Sequence, residues 1–277
     1  MARPYLTKSY ANISLDTSHL EEKGILLIKL EREEAANALY PQMIEDLCFL
    51  LSESDRDPKM RAIILTGTGR HFCAGGDIKA MQEKSGMFEG EPFELMERYQ
   101  FGIQQIPRVI ENMQTPLIAA VNGSAIGAGL DISCMCDMRL ASDSARFGET
   151  FVKIGLVPGD AGTFFLQRVV GYAKAMELTL TGRIIDAKEA EKIGLVHKLV
   201  DKTKIVEEAF ALAEKIAENA PMATKLAKKA LRHGYRQSLT EQLDLMAIYQ
   251  GVAQNSMDHM EALKAKFDKR EPVFKGK

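Results

Sequence analysis

The stretch Pro116-Leu-Ile-Ala-Ala-Val-Asn-Gly-Ser-Ala-Ile-Gly-Ala-Gly-Leu-Asp131 decides the fold class. Leu117–Val121 is a short, wholly apolar run of the kind a buried strand needs. Asn122–Gly129 is a loop of small side chains, and a helical run follows to about Cys136. A second stretch repeats that order. Ala62–Thr66 (AIILT) reads as a buried strand, Gly67–Asp77 as a glycine-containing loop, and a helical pattern begins at Ile78. Met138–Ala141 adds a third short strand. Strand, glycine loop and helix in recurrence predict an α/β core.

Outward from this unit, Gly24–Leu30 (GILLIKL) is rich in branched residues and reads as a strand. Pro41–Glu53 places Met43, Ile44, Leu47, Leu50 and Leu51 on one helical face, with Pro41 suited to the first turn. Phe101–Met113 reads as one amphipathic helix, and Ser85–Pro92 as a mobile insertion. After about residue 185 the pattern turns helical: Ala187–Ile193, Ile205–Asn219, Ala223–Arg232 and Leu239–Lys269, with Leu195–Val200 as the remaining strand. This divides the chain into an α/β core over 1–200 and a helical, oligomerisation-type region over 201–277.

The 277 residues are 46% hydrophobic and 27% charged, with a formal net charge of −2. Such a balance disfavours nucleic acid as a partner, because phosphate binding needs a clustered positive surplus. Lys225, Lys228, Lys229, Arg232 and Arg236 alternate with apolar residues at helical spacing and read as a solvated helix face. Cys48, Cys73, Cys134 and Cys136 sit in apolar segments without metal-ligand spacing, so reduced, buried thiols and no metal site are expected. Met1-Ala-Arg-Pro-Tyr5 has no apolar core of a leader, no run reaches membrane-span length, and Phe274-Lys-Gly-Lys277 carries no peroxisomal address. A cytoplasmic protein with no membrane partner is the expectation.

Chemistry is expected at the two glycine loops. Small side chains let a ligand approach the backbone, and first-turn helix amides point outward, unpaired. Two such loops can aim two N–H groups at one developing oxyanion. Equally, the glycines could serve only tight turns and close helix–strand contact.

The run His71-Phe-Cys-Ala-Gly-Gly-Asp-Ile-Lys-Ala-Met81 resembles the first oxyanion-hole motif of the crotonase (enoyl-CoA hydratase/isomerase) superfamily, and Pro116–Asp131 resembles the second. Asn37-Ala-Leu39, Cys136-Asp-Met-Arg-Leu-Ala141, Arg146-Phe-Gly148 and Gly155-Leu-Val-Pro-Gly159 match in order and spacing. The resemblance covers about residues 10–270. It implies a spiral of ββα units with C-terminal helices that assemble a homotrimer or a dimer of trimers. It also implies an acyl-CoA substrate, whose thioester oxygen binds the N–H groups of Gly76 and Ala128. Coenzyme A would enter only as part of that substrate, with no separate cofactor. The same resemblance places Ala38, Ala74, Asp77, Ile78, Lys79 and Phe151 along the bound substrate.

A hydratase of that family works a water with two glutamates. At the first position this chain has Asp131; at the second, three residues after Phe147-Gly148, it has Phe151, which cannot transfer a proton. Asp131 is therefore the expected main acid/base. Asp160, in the loop that closes over the acyl pocket in relatives, and Glu149 are both candidates for its partner. Asp160 also reads as the N-cap of a helix starting near Ala161. Hydration and double-bond isomerisation both remain open, as does a non-catalytic acyl-CoA-binding paralogue. Gly127-Ala-Gly129 lacks the third glycine of a dinucleotide fingerprint, and no Gly-x-Ser-x-Gly elbow occurs. His71 reads as solvent-facing at a strand end and His197 as structural.

Overall fold

The computed structural model describes residues 3–277; Met1 and Ala2, the start of the stretch read for a leader, lie outside them. Among the described residues, ten strands form two sheets. They are β1 (Ile13–Asp16), β2 (Ile25–Leu30), β3 (Ala62–Gly67), β4 (His71–Cys73), β5 (Leu117–Val121), β6 (Ser124–Ile126), β7 (Met138–Ser142), β8 (Arg146–Gly148), β9 (Ile184–Asp186) and β10 (Lys198–Val200). The first sheet has the order β1-β2-β3-β5-β7-β10 and the second β4-β6-β8-β9. The pairs β3/β4, β5/β6 and β7/β8 each lay one strand in each sheet before a helix or helical turn returns the chain, which is the expected spiral of ββα units. Among the described residues, the antiparallel pairs are β1 with β2 and β9 with β8; the other pairs are parallel.

Strands β4 and β6 lie inside stretches that the sequence reads as loop. Three residues are too few to show a strand's alternation. Their pairing makes them strands: His71 opposite Ser124, and Ser124 opposite Arg146. This second sheet fixes where both glycine loops end.

Strands β3 and β5 are buried throughout, as strands of a covered parallel sheet must be. Ile63, Leu65, Leu117, Ala119 and Val121 join the main core. Ala62, Ile64, Ile118 and Ala120 face the helix Ile205–Ala217 through Ile205, Ala209 and Ala213. The helical region after residue 200 therefore begins as a layer of the sheet's own packing.

Several expectations are corrected. Within Phe101–Met113 the helix is confined to Gln105–Asn112, while Phe101 ends a separate helix, Pro92–Phe101, parted from it at Gly102. Leu239–Lys269 divides into Leu239–Gln254 and Met257–Asp268, because Ser256 caps the second by accepting the His259 N–H. The stretch Ser85–Pro92 is tied down: it holds a 3₁₀ turn over Gly86–Phe88, Met87 is buried, and Arg98 donates to the Gly86 carbonyl at 2.9 Å.

The cationic stripe is only in part a solvated face: Lys229 and Arg236 are exposed, but the others are not. Within Pro221–Gly234, Lys228 is buried and its Nζ lies 2.6 Å from Asp137 and 2.6 Å from the Thr115 carbonyl. Arg232 donates to the carbonyls of Ile110 and Glu111, both at 2.6 Å, at the negative end of the helix Gln105–Asn112. Arg236 pairs with Glu111 at 2.6 Å. Helical spacing looks the same whether a cationic stripe meets water or another helix's C-terminus. Among the described residues, no helix is long and apolar enough to cross a membrane.

Candidate active site

The first loop is held from both sides. The Asn37 amide donates to the carbonyls of Thr68 (3.0 Å) and His71 (2.8 Å), and its oxygen accepts the Arg32 N–H at 2.8 Å. Asn122 donates to the same His71 carbonyl at 3.2 Å and accepts from the Gly67 N–H at 3.1 Å. His71 itself belongs to β4 and is half-buried, so the solvent-facing reading fails. Beyond it, the Ala74 N–H donates to Ala36, the Leu39 N–H donates to Gly75, and Leu39 bridges to Gly76. These bonds leave the Gly76 N–H without a protein acceptor among the described residues.

The second loop comes to the same place. Gly129 lies so close to β4 that a Cβ there would stand 1.9 Å from the Cys73 carbonyl oxygen. Only glycine permits that approach. The helix Ala128–Met135 starts at this contact, and the N–H of Ala128, its first residue, has no acceptor among the described residues. A Cβ at Gly75 would be 3.5 Å from the Ala128 nitrogen, so the two loops touch.

Asp131, on the first turn of that helix, is completely buried, as is Glu149; Asp160 is 2% exposed. Asp131 lies within hydrogen-bonding reach of both others. None of their oxygens receives an N–H or O–H from elsewhere in the described protein, so their partners are one another, and a carboxyl–carboxyl bond needs a proton. The three are not arranged as a metal-ligand set. Burial, with the charges of Asp160 and Glu149, pushes the Asp131 carboxyl well above its usual range. Burial pushes Glu149 up to about 7, Asp160 adding to the shift and the bond from Asp131 opposing it. Asp160 is likewise raised, chiefly by burial.

Asp160 does not cap the following helix. That helix runs Gly162–Val170, its N-cap is Ala161 at φ +81°, and no side chain caps it. The left-handed residue reverses the chain and turns the Asp160 carboxyl inward to Asp131. Gly162 is a residue that motif reading passed over: a Cβ there would lie 2.2 Å from Asp131 Oδ1. Tyr99 is another. Its ring backs Gly159, and burial, then the Asp160 charge, raises its hydroxyl. Nothing in its local sequence signals that contact.

The remaining candidates spread around this centre. Ala38 is buried and Ala74 half-buried beside the first loop. Asp77 caps the helix Ile78–Glu83, accepting from Lys79 and Ala80, and pairs with Arg32 at 2.8 Å, so its carboxylate is already engaged. Ile78 and Lys79 are exposed. The Phe151 ring stands over Gly127, 3.5 Å from where a Cβ would be. Burial pushes the thiols of Cys73 and Cys134 up to about 12, which leaves no activated nucleophile there. His197 accepts the Arg139 N–H at 3.1 Å, in keeping with a structural role.

An arrangement of two free N–H donors beside a proton-holding carboxyl cluster suits reactions in which charge develops on a carbonyl oxygen while a proton moves nearby. The sequence pattern of the enoyl-CoA hydratase/isomerase family matches residues 20–277. The short-chain-enoyl-CoA hydratase of Clostridium acetobutylicum is 36% identical over 260 residues, 93% of this chain and 97% of that one. The crystal structure of an enoyl-CoA hydratase from Bacillus anthracis superposes with a TM-score of 0.89 at 35% identity, covering 96% of this chain and 100% of the other. One from Mycobacterium smegmatis gives 0.87 at 26% identity, covering 95% and 99%. With its spiral fold and near full-length matches, the chain belongs to the enoyl-CoA hydratase/isomerase family.

Proposed function

We propose that the protein binds an enoyl-CoA thioester with the thioester oxygen on the N–H groups of Gly76 and Ala128, and that Asp131 is the main acid/base. The observation that carries this reading is the meeting of two acceptor-free N–H groups with a buried carboxyl cluster at one site. Negative charge that forms on the oxygen when the α-carbon loses a proton, or when the β-carbon gains a nucleophile, is stabilised by those donors. Coenzyme A enters with the substrate. Asp131→Asn tests the assignment: turnover of crotonyl-CoA or of a 3-enoyl-CoA, followed through the conjugated thioester absorbance, should fall roughly 10²–10⁴-fold. Turnover at the native rate in that variant would remove Asp131 from the chemistry.

Phe151 favours one alternative, an acyl-CoA-binding paralogue without chemistry, since it stands where a hydratase keeps a carboxylate. That alternative requires the unaltered protein to bind acyl-CoA and to turn over neither substrate. Assembly as a homotrimer or a dimer of trimers is supported by the apolar side chains left on the C-terminal helices, among them Leu239, Ile248 and Phe267. A monomer in sedimentation at micromolar concentration would count against it.

A further inference from the structure

The helix Pro221–Gly234 is fixed to the core by Lys228 and Arg232, but the two helices that follow it have almost no core of their own. No residue of Leu239–Gln254 is buried, and in Met257–Asp268 the buried residues are Asp258 and Ala265. Large apolar side chains are left outside on both, Leu243, Met260 and Phe267 among them. Burial of an apolar face, which holds most helices in place, therefore does not set the direction of this pair.

Polar contacts do. Asp258, 2% exposed on the first turn of its helix, accepts the Lys275 N–H on one oxygen and the Gly276 N–H on the other, both at 2.7 Å. Its own N–H donates to the Lys277 carbonyl at 3.2 Å. One turn further on, Glu261 accepts the Val273 N–H at 3.0 Å. The same short segment reaches the sheet, because Arg61, the residue before β3, donates to the Phe274 carbonyl at 3.2 Å. Gly276 adopts a left-handed φ of +72°, and a Cβ there would lie 3.1 Å from the ring of Pro221, which opens the fixed helix. The chain thus leaves the core at Pro221, runs through both helices and returns to its starting point. Bonds to a carboxylate are the strong kind, and a buried carboxylate stripped of its donors is costly.

We propose that Val273–Lys277 is a strap. Its backbone, clamped by Asp258 and held by Arg61, ties the helix Met257–Asp268 to the start of β3. It thereby keeps both helices, and the apolar surface they leave outside, in one orientation. A clamp on the backbone fits the side chains of Val273 and Lys275, which point away into solvent. The strap shares no residue with the acyl-CoA site.

Hydrogen exchange read by mass spectrometry on the full chain tests it. Lys275→Pro deletes one of the two N–H groups on Asp258 and leaves every helix residue in place, whereas Lys275→Ala keeps that N–H. Exchange over Met257–Asp268 should become at least tenfold faster in Lys275→Pro and stay native in Lys275→Ala, with β3 and β5 protected in both. Asp258→Asn has the same shape but turns an NH2 group toward one of the two donors, so it should repeat the effect of Lys275→Pro; if it does not fold, the two Lys275 variants decide. The strap is overturned if Lys275→Pro frees only residues 273–277 while Met257–Asp268 keeps its native protection. It is also overturned if Lys275→Ala loosens the helix as much as Lys275→Pro, since the side chain and not the backbone would then make the tie.

Discussion

A carboxyl removed from water holds its proton until the gain from ionising exceeds the loss of solvation. Glu149 shows the consequence for stability. Its carboxyl, near 4.5 in water, is pushed up to about 7 in the fold. Between those values the folded chain binds a proton that the unfolded chain has lost, so stability declines as pH rises through that window and levels off above about 7. Glu149→Gln removes the titrating group. It should flatten this dependence and raise the unfolding free energy at pH 8 by on the order of 3 kcal/mol. Denaturant titrations at pH 5 and pH 8 check it, and an unchanged difference between the two would refute the account. Gly162 acts at the same scale. A methyl there would meet the Asp131 carboxyl at 2.2 Å, so Gly162→Ala should displace Asp131 and cut kcat at least tenfold while thermal unfolding shifts little. Equal kcat in that variant would mean that Asp131 can move without consequence.

Among the elements, the two glycine loops were legible and the short strands that hold them were not. Small residues before an apolar helix mark a backbone approach by local chemistry alone. Strands β4 and β6 carry no such mark, since their identity lies in pairing with residues far away in sequence. Asp160 shows the reverse error: its position before a helix looks like a cap, yet the left-handed Ala161 takes the cap position and turns the carboxyl away. A prediction at this scale concerns the helix Ala128–Met135. Ala128→Pro deletes one free N–H at a helix position where proline is tolerated. Turnover should drop roughly 10²–10³-fold, the usual effect of losing one oxyanion donor, with the melting temperature largely retained. Full activity in a folded Ala128→Pro protein would show that this N–H does not hold the oxygen.

At the scale of the molecule, the helix Pro221–Gly234 is bolted to the core by cations that sequence periodicity assigns to solvent. Asp137 receives Lys228 and Arg232 and also accepts the Leu117 N–H at 2.7 Å, so one carboxylate joins the start of β5 to the C-terminal helices. Lys228→Ala should cost stability at the lower end of the roughly 3–5 kcal/mol seen when one partner leaves a buried pair, because Arg232 still neutralises Asp137. Chemical denaturation measures it; a cost under about 1 kcal/mol would return Lys228 to the solvated face.

The amino-acid sequence by itself determined the repeating strand–loop–helix unit, the two glycine loops and the family, because each follows from side-chain size and spacing along a continuous segment. It also showed that Phe151 stands where a second carboxylate was expected. Only the tertiary structure shows which carboxyls stand together. Asp131 comes from one turn of the spiral and Glu149 and Asp160 from the two ends of the next connection, between β8 and the helix Gly162–Val170, and all three are buried together. Whether a carboxyl carries a proton depends on its distance to other charges and to water, which no single segment contains.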